Sequence, residues 1–229
     1  MKSFPSQLKA GTVGHVHSQI FRTLFIELET ENDYVQPTDD TSIIIVDDKN
    51  ETFDIFKELV DLRKKSPLNI ICAYLNINSY RYKYEHIIEL LQRNRVDILF
   101  LSETKLDDSF LDSLFNVDIF SLYRSDRNQH RGGLLAYMRS DLAGNRNTQV
   151  EFKDIESLEF EVTSNKQKWL FLGVLTPNMR DNIFSDDFNK TTDKIVKMYD
   201  NFIMMGDMNF NMLDDVKNVT LRDSLNFKL

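Results

Sequence analysis

The 229-residue chain has a single cysteine, and that scarcity removes several kinds of protein at once. Cys72 has no partner for an internal disulfide, and one thiolate cannot make a cysteine zinc site. Its place inside the apolar run "NIICAYL" reads as a buried thiol in a reducing compartment. Long apolar stretches are also missing: no run approaches the ~18 residues of a membrane span. The opening "MKSFPSQLKAGTVGHVHSQ" lacks the continuous apolar segment of a secretory signal. These absences predict an intracellular protein, in nucleus or cytoplasm, not secreted and with no membrane partner; they leave the oligomeric state unknown. Positive charge is the third shortage. A formal charge of -8 opposes general affinity for nucleic acid, which requires clustered Lys and Arg.

One segment departs from that balance. "LYRSDRNQHRGGLLAYMRSDLAGNRN" holds Arg124, Arg127, Arg131, Arg139 and Arg146 against Asp126 and Asp141, a local charge of +3. It is the most basic face available for a polyanion, or else a solvated loop and hairpin. No internal repeat or low-complexity tract is present, and 41% hydrophobic content suffices for a sizeable core.

Residues 1–67 read as an N-terminal extension of unknown role. "ETENDYVQPTDDT" is polar and acidic and contains Pro37, as a linker would; "SIIIVDD" reads as a short strand. "ETFDIFKELVDLRKK" places Phe53, Phe56, Leu59 and Val60 at helical spacing, and Ser66-Pro67 ends it. His15 and His17 have no nearby carboxylate or cysteine to complete a metal site. Residues 68–229 follow a more regular pattern. "LNIICAYLNIN" predicts a buried strand, "SYRYKYEHIIELLQRNR" a helix and "VDILFLSET" a second strand. "GGLLAYMRS", "SLEFEVTS" and "KWLFLGVLT" follow without long helices between them, which predicts antiparallel pairing. A helix from about 185 to 200 then leads into the run "NFIMMGD". Together these predict two sheets packed face to face with helices outside.

Three buried runs end alike: "CAYLNIN" in Asn76 and Asn78, "ILFLSE" in Glu103, "FIMMGDMN" in Asp207 and Asn209. With the strands side by side, these ends would gather two carboxylates and three carboxamides at one edge of the core. Hard oxygen donors of low total charge suit Mg²⁺ or Mn²⁺ completed by substrate phosphate, and hence phosphate-ester hydrolysis. In that chemistry Glu103 holds the metal and Asn78 helps position it or its water shell. Asp207 orients or deprotonates the attacking water, Asn209 holds Asp207 or donates to a phosphate oxygen, and Asn76 donates to the phosphate. Taken singly, each residue is better explained as the polar end of a strand.

The ordered set "LNIN", "DILFLSET", "GGLLAYMR", "LGVLTPN" and "FIMMGDMNFNML" resembles the endonuclease/exonuclease/phosphatase superfamily, and most closely the endonuclease domain of LINE-type, jockey-like retrotransposons. The resemblance spans residues 68 to 213. It implies an α/β fold, a four-layered α/β/β/α sandwich of two packed mixed sheets, and a Mg²⁺-dependent site that hydrolyses phosphodiesters of DNA. Matched one by one, Asn76 falls on the phosphate-site asparagine, Glu103 on the metal-binding glutamate, and Asp207 with Asn209 on the pair that orients the nucleophile. Asn78 stands where some relatives carry an aspartate near the metal, and Asn178 matches a polar position after Pro177. Arg124, Arg127 and Arg131 are the candidate substrate contacts. Two departures stand out. Leu175 replaces the tyrosine of a Tyr-x-Pro pattern, and no Ser-Asp-His element follows Asp207, since the histidines are His15, His17, His86 and His130. They imply a C-terminally truncated domain whose activity is lost or reduced. The alternatives are an inactive remnant serving as a nucleic-acid or protein interaction module, and a phosphatase for small phosphoesters.

Overall fold

The computed structural model describes residues 21–27, 44–46, 52–54, 59–61, 63–64, 70–93, 95–164, 166–176 and 183–207. Apolar alternation along its strands sorts the side chains into three cores. Strands β4 (Ile70–Asn76), β5 (Ile98–Ser102), β6 (Phe120–Ser125) and β7 (Leu134–Arg139) lie in one sheet, joined at its edge by β1 (Phe21–Glu27), in the order β1-β4-β5-β7-β6. The second sheet runs β11-β10-β9-β8, from β8 (Gly144–Arg146), β9 (Glu156–Ser164), β10 (Gln167–Leu175) and β11 (Phe202–Asp207). Both sheets are mixed: β1, β4 and β5 are mutually parallel, as are β10 and β11, while the other pairings are antiparallel.

Parity along each strand decides what it touches. Ile71, Ala73 and Leu75 of β4, with Leu99 and Leu101 of β5, pack under helix α1 (Tyr84–Gln92). The helix offers Ile87, Leu90 and Leu91, spaced i, i+3, i+4 on one face. The opposite parity, Cys72, Tyr74, Phe100 and Ala136 among it, meets Phe160, Trp169, Phe171 and Leu175 of the second sheet. On that sheet's outer face Leu170, Leu172 and Val174 pack against Phe188, Ile195 and Tyr199, carried by or directly following helix α2 (Ile183–Met198). The layers are therefore helix, sheet, sheet, helix, as the sequence predicts. Cys72 is buried, as expected.

Two inter-sheet contacts set how the sheets face each other. The Tyr74 hydroxyl donates to the Val174 carbonyl at 3.2 Å. Gly173 leaves room for the Phe100 ring, since a Cβ there would lie 2.2 Å from Phe100 Cδ1. Gly173→Ala is accordingly expected to destabilise the protein by about 1–3 kcal/mol through overpacking, measurable as a lower urea midpoint with an unchanged m-value.

Two local expectations change. The residues from Thr52 onward, read as the start of a helix, instead form strand β3 (Thr52–Asp54), which pairs antiparallel with β2 (Ile44–Val46) and places Phe53 opposite Ile45. Ladder hydrogen bonds and β-favouring Thr and Phe outweigh the helical spacing there, and the next described residues, 59–61, are helical. The second change concerns β1, which the sequence pattern does not single out. It comes from the N-terminal 67 residues and pairs in parallel along the whole of β4, Phe21 opposite Ile70 and Glu27 opposite Asn76. Residues beyond 207, including Asn209 and any incompleteness of the sandwich at that end, lie outside the described residues.

Candidate active site

Strand direction explains where the polar residues meet. The parallel strands β4 and β5 end side by side, Asn76 opposite Ser102, and Leu134 at the start of antiparallel β7 completes the row. In the second sheet Asp207 at the end of β11 stands opposite Leu175 at the end of β10, which stands opposite Glu156 at the start of β9. The Tyr74–Val174 bond, one residue or two short of these rows, puts both at the same rim of the inter-sheet layer. The strand ends that carry Asn76, Glu103 and Asp207 thus belong to two facing sheets and not to one.

The loops after β4 and β5 run beside each other. Ile77, Ser79 and Tyr80 N–H groups donate to the Ser102, Glu103 and Thr104 carbonyls at 3.1, 2.7 and 2.9 Å. Thr104 and Lys105 N–H groups then donate to Gly133 and Gly132 at 3.3 and 3.0 Å. Asn78, Ser79, Glu103 and Lys105 all hold left-handed backbone, with φ of 42°, 103°, 54° and 53°. Such conformations cost energy in non-glycine residues and persist where surrounding bonds impose them. Tyr80 anchors the first loop from below. Its buried hydroxyl lies 2.7 Å from that of Tyr137, which in turn donates to the Phe115 carbonyl at 2.7 Å. Burial pushes the Tyr80 phenol up to about 12, so it stays a neutral hydrogen-bonding group.

Glu103 is half-buried, and its Oε2 accepts from the Gly132 N–H at 2.9 Å. Buried on either side of it, the Ser102 and Thr104 hydroxyls have no hydrogen-bond partner among the described residues. Asn76 Oδ1 accepts from the Asn78 N–H at 3.2 Å, and the exposed Asn78 carboxamide oxygen is held by the Lys105 ammonium. Leu175 is buried in the inter-sheet core, 3% exposed, so no donor projects from its place in the row.

The arginines divide by environment. Arg124 is turned inward, with guanidinium bonds to Asp112, Asp126 and the carbonyls of Asp107 and Phe110, and it ties the 107–112 loop to β6. Arg127 pairs with Glu156 at 2.9 Å. Arg139 joins Arg63 on buried Asp97, and Arg146 pairs with Glu151. The segment's positive charge is thus largely spent within the fold, whereas the Arg131 side chain is exposed. His86 and His130 are exposed as well. Asn178 and Asn209 lie outside the described residues.

A family model described as Endonuclease/Exonuclease/phosphatase family matches residues 73–227. The chain belongs to the endonuclease/exonuclease/phosphatase family. No curated protein sequence matches it. Solved structures of similar fold include the endonuclease domain of TRAS1, a telomere-specific non-LTR retrotransposon (13% identity, 61% of this chain and 58% of that one, TM-score 0.43). The human nocturnin catalytic domain with bound sulfate is another (13% identity, 66% and 68% covered, TM-score 0.48). Truncated Caenorhabditis elegans TDP2 is a third (16% identity, TM-score 0.42), with 57% of this chain covering 56% of that one, little more than half its length.

Members of the endonuclease/exonuclease/phosphatase family are hydrolytic phosphodiesterases and phosphatases, typically dependent on a divalent metal, and the donors at this rim fit such an ion. Glu103 offers a carboxylate, Asn76 a carboxamide, and the Ser102 and Thr104 hydroxyls, unpartnered among the described residues, add buried oxygen. Among the described residues no three Asp, Glu, His or Cys side chains converge. That sparse all-oxygen set suits a hydrated Mg²⁺ better than zinc, which takes three or four nitrogen, sulfur or carboxylate ligands.

Two features of the site escape a reading of strand ends: the Gly132-Gly133 turn and Glu156. The turn precedes antiparallel β7 and Glu156 opens antiparallel β9, so both enter the rim at the start of a run, where a polar residue looks like any turn. The usable signal was the alternation "ESLEFEV", which gives Glu156 the same parity as the inward-facing Leu158 and Phe160.

Proposed function

We propose that this chain is a Mg²⁺-dependent phosphodiesterase that nicks DNA, derived from a mobile element. The observation that supports it is the meeting of Asn76 and Glu103 from one sheet with the register position of Asp207 in the other, in a member of this family. Glu103, assisted by Asn78, would hold the metal, which when bound would polarise a phosphoryl oxygen and offset the charge that builds on it. Asn76 donates its amide proton to a phosphoryl oxygen. Asp207, steadied by Asn209, aligns the attacking water and accepts its proton as the new P–O bond forms and the bond to the leaving oxygen breaks. Asn178, Arg131 and, by exchange from Glu156, Arg127 contact the flanking phosphates; Arg124, bound inward, supports the loop.

Incubation of supercoiled plasmid with the full chain in Mg²⁺ is the direct test. Relaxed circles are expected, abolished by EDTA and restored by excess Mg²⁺. Intact plasmid at every Mg²⁺ and Mn²⁺ concentration would overturn the reading. The buried Leu175 favours a second one, a domain that binds nucleic acid without cutting it, for which plasmid retardation without nicking is the expected result. Release of phosphate from a small phosphoester with intact plasmid would instead mark a phosphatase.

A further inference from the structure

We infer that Glu156 is a positioning residue for Glu103, acting from the opposite sheet through the Gly132-Gly133 turn; the inference rests on the reading of Glu103 as the metal-holding carboxylate. The turn is gripped from both sides. Gly132 donates its N–H to Glu103 Oε2, and Gly133 donates its N–H to Glu156 Oε2. The two carbonyls of the turn accept from Lys105 and Thr104, the residues that follow Glu103. A side chain at either glycine would be strained. Their φ angles are +71° and +89°, and a Cβ on Gly132 would lie 2.7 Å from Glu156 Oε1, while one on Gly133 would lie 2.5 Å from Thr104 Oγ1.

The consequence is a chain of directed hydrogen bonds from the start of β9 to the Glu103 carboxylate. Glu156 sets the orientation of the Gly133 amide, the adjacent Gly132 amide is thereby aimed at Glu103 Oε2, and Oε1 is left with no donor among the described residues. A carboxylate pinned by one oxygen presents the other to a cation in one direction, which is the usual work of residues behind a metal ligand. Arg127 contributes less to this arrangement, because it meets the other Glu156 oxygen, at 2.9 Å, from a partly exposed position. Glu156 also shares its row with Leu175 and Asp207, so the same residue fixes the spacing between the Glu103 loop and the end of β11.

Binding of Mn²⁺ to the full chain, read by electron paramagnetic resonance of the free ion, separates this role from a merely structural one. Circular dichroism and melting temperature report the fold of each variant. E103A is expected to lose the site. E156D, which keeps the charge but is one methylene too short to reach Gly133, is expected to weaken Mn²⁺ about tenfold. E156Q, whose amide oxygen still accepts from Gly133, is expected to stay within about threefold of wild type. That order is the reverse of a charge effect. Wild-type affinity in E156D, with or without a lowered melting temperature, overturns the inference while leaving Glu103 in place. So does a loss confined to E156Q. Undiminished binding in E103A removes the reading of Glu103 itself, and this inference with it.

Discussion

Replacing Glu103 by alanine is expected to lower Mg²⁺-dependent plasmid nicking by roughly 10²–10³-fold. Glu103 is the carboxylate that the two lacing loops carry to the rim from β5, and the bonds that fix its backbone, from Ser79 N–H to its carbonyl and from Thr104 and Lys105 to the glycine turn, do not involve its side chain. What the fold loses is one acceptor for the Gly132 N–H, worth about 1 kcal/mol. Activity and stability should therefore separate: a large fall in nicking rate, a small fall in melting temperature. Glu103→Gln keeps the Gly132 acceptor but not the charge, and is expected to melt like wild type while remaining nearly inactive. Nicking by Glu103→Ala within threefold of wild type would assign the metal elsewhere.

The second large effect lies away from the rim. Glu159 is fully buried on β9, on the face that packs beneath α2, opposite Leu172 of β10. Among the described residues neither carboxyl oxygen meets a well-placed hydrogen-bond partner, and the buried Thr192 hydroxyl on α2 is likewise unpartnered. Burial pushes the Glu159 pKa up to about 9; the Glu151 charge adds to the rise, while Ser157 and the Arg146 guanidinium oppose it. The acid is thus neutral in the folded protein at pH 7 and ionised in the unfolded chain. Folding takes up a proton between the unfolded pKa, near 4.5, and the folded one. Stability from this group is complete below about pH 4.5 and falls as pH rises toward 9, by at most about 1.4 kcal/mol per pH unit. Glu159→Gln removes the linkage. Urea unfolding at pH 5 and pH 8 should show wild type losing stability by up to a few kcal/mol over this interval, and Glu159→Gln losing much less, so that the variant is the more stable at pH 8. Parallel pH dependences in the two proteins would show that Glu159 is already ionised in the fold.

How much of this was legible in the sequence depends on strand direction. The ends of β4, β5 and β11 announce themselves because an apolar run stops at Asn76, Glu103 and Asp207. Periodicity also identifies α1 and α2 and the helix–sheet–sheet–helix order. Glu156 and the glycine turn are hidden because their strands run the other way. The arginine cluster misleads for a different reason. The local charge already sets Asp126 and Asp141 against Arg124 and Arg139, but their further partners Asp112 and Asp97 lie 12 and 42 residues away in sequence and are brought up only by the fold. β1 is obscure because Arg22 and Thr23 interrupt its run, and its parallel partner lies 49 residues onward. The mistaken helix at Phe53 shows periodicity losing to a hairpin ladder that two short segments make together.

The glycine at position 173 has a mechanical consequence. Each sheet carries half of the rim, so sliding one sheet over the other by a single residue, about 3.3 Å, would carry Asn76 and Glu103 out of line with Leu175 and Asp207. The Phe100 ring, seated where the Gly173 side chain would be, works as a detent against that shear. The missing side chain keys the two halves of the rim into a single alignment.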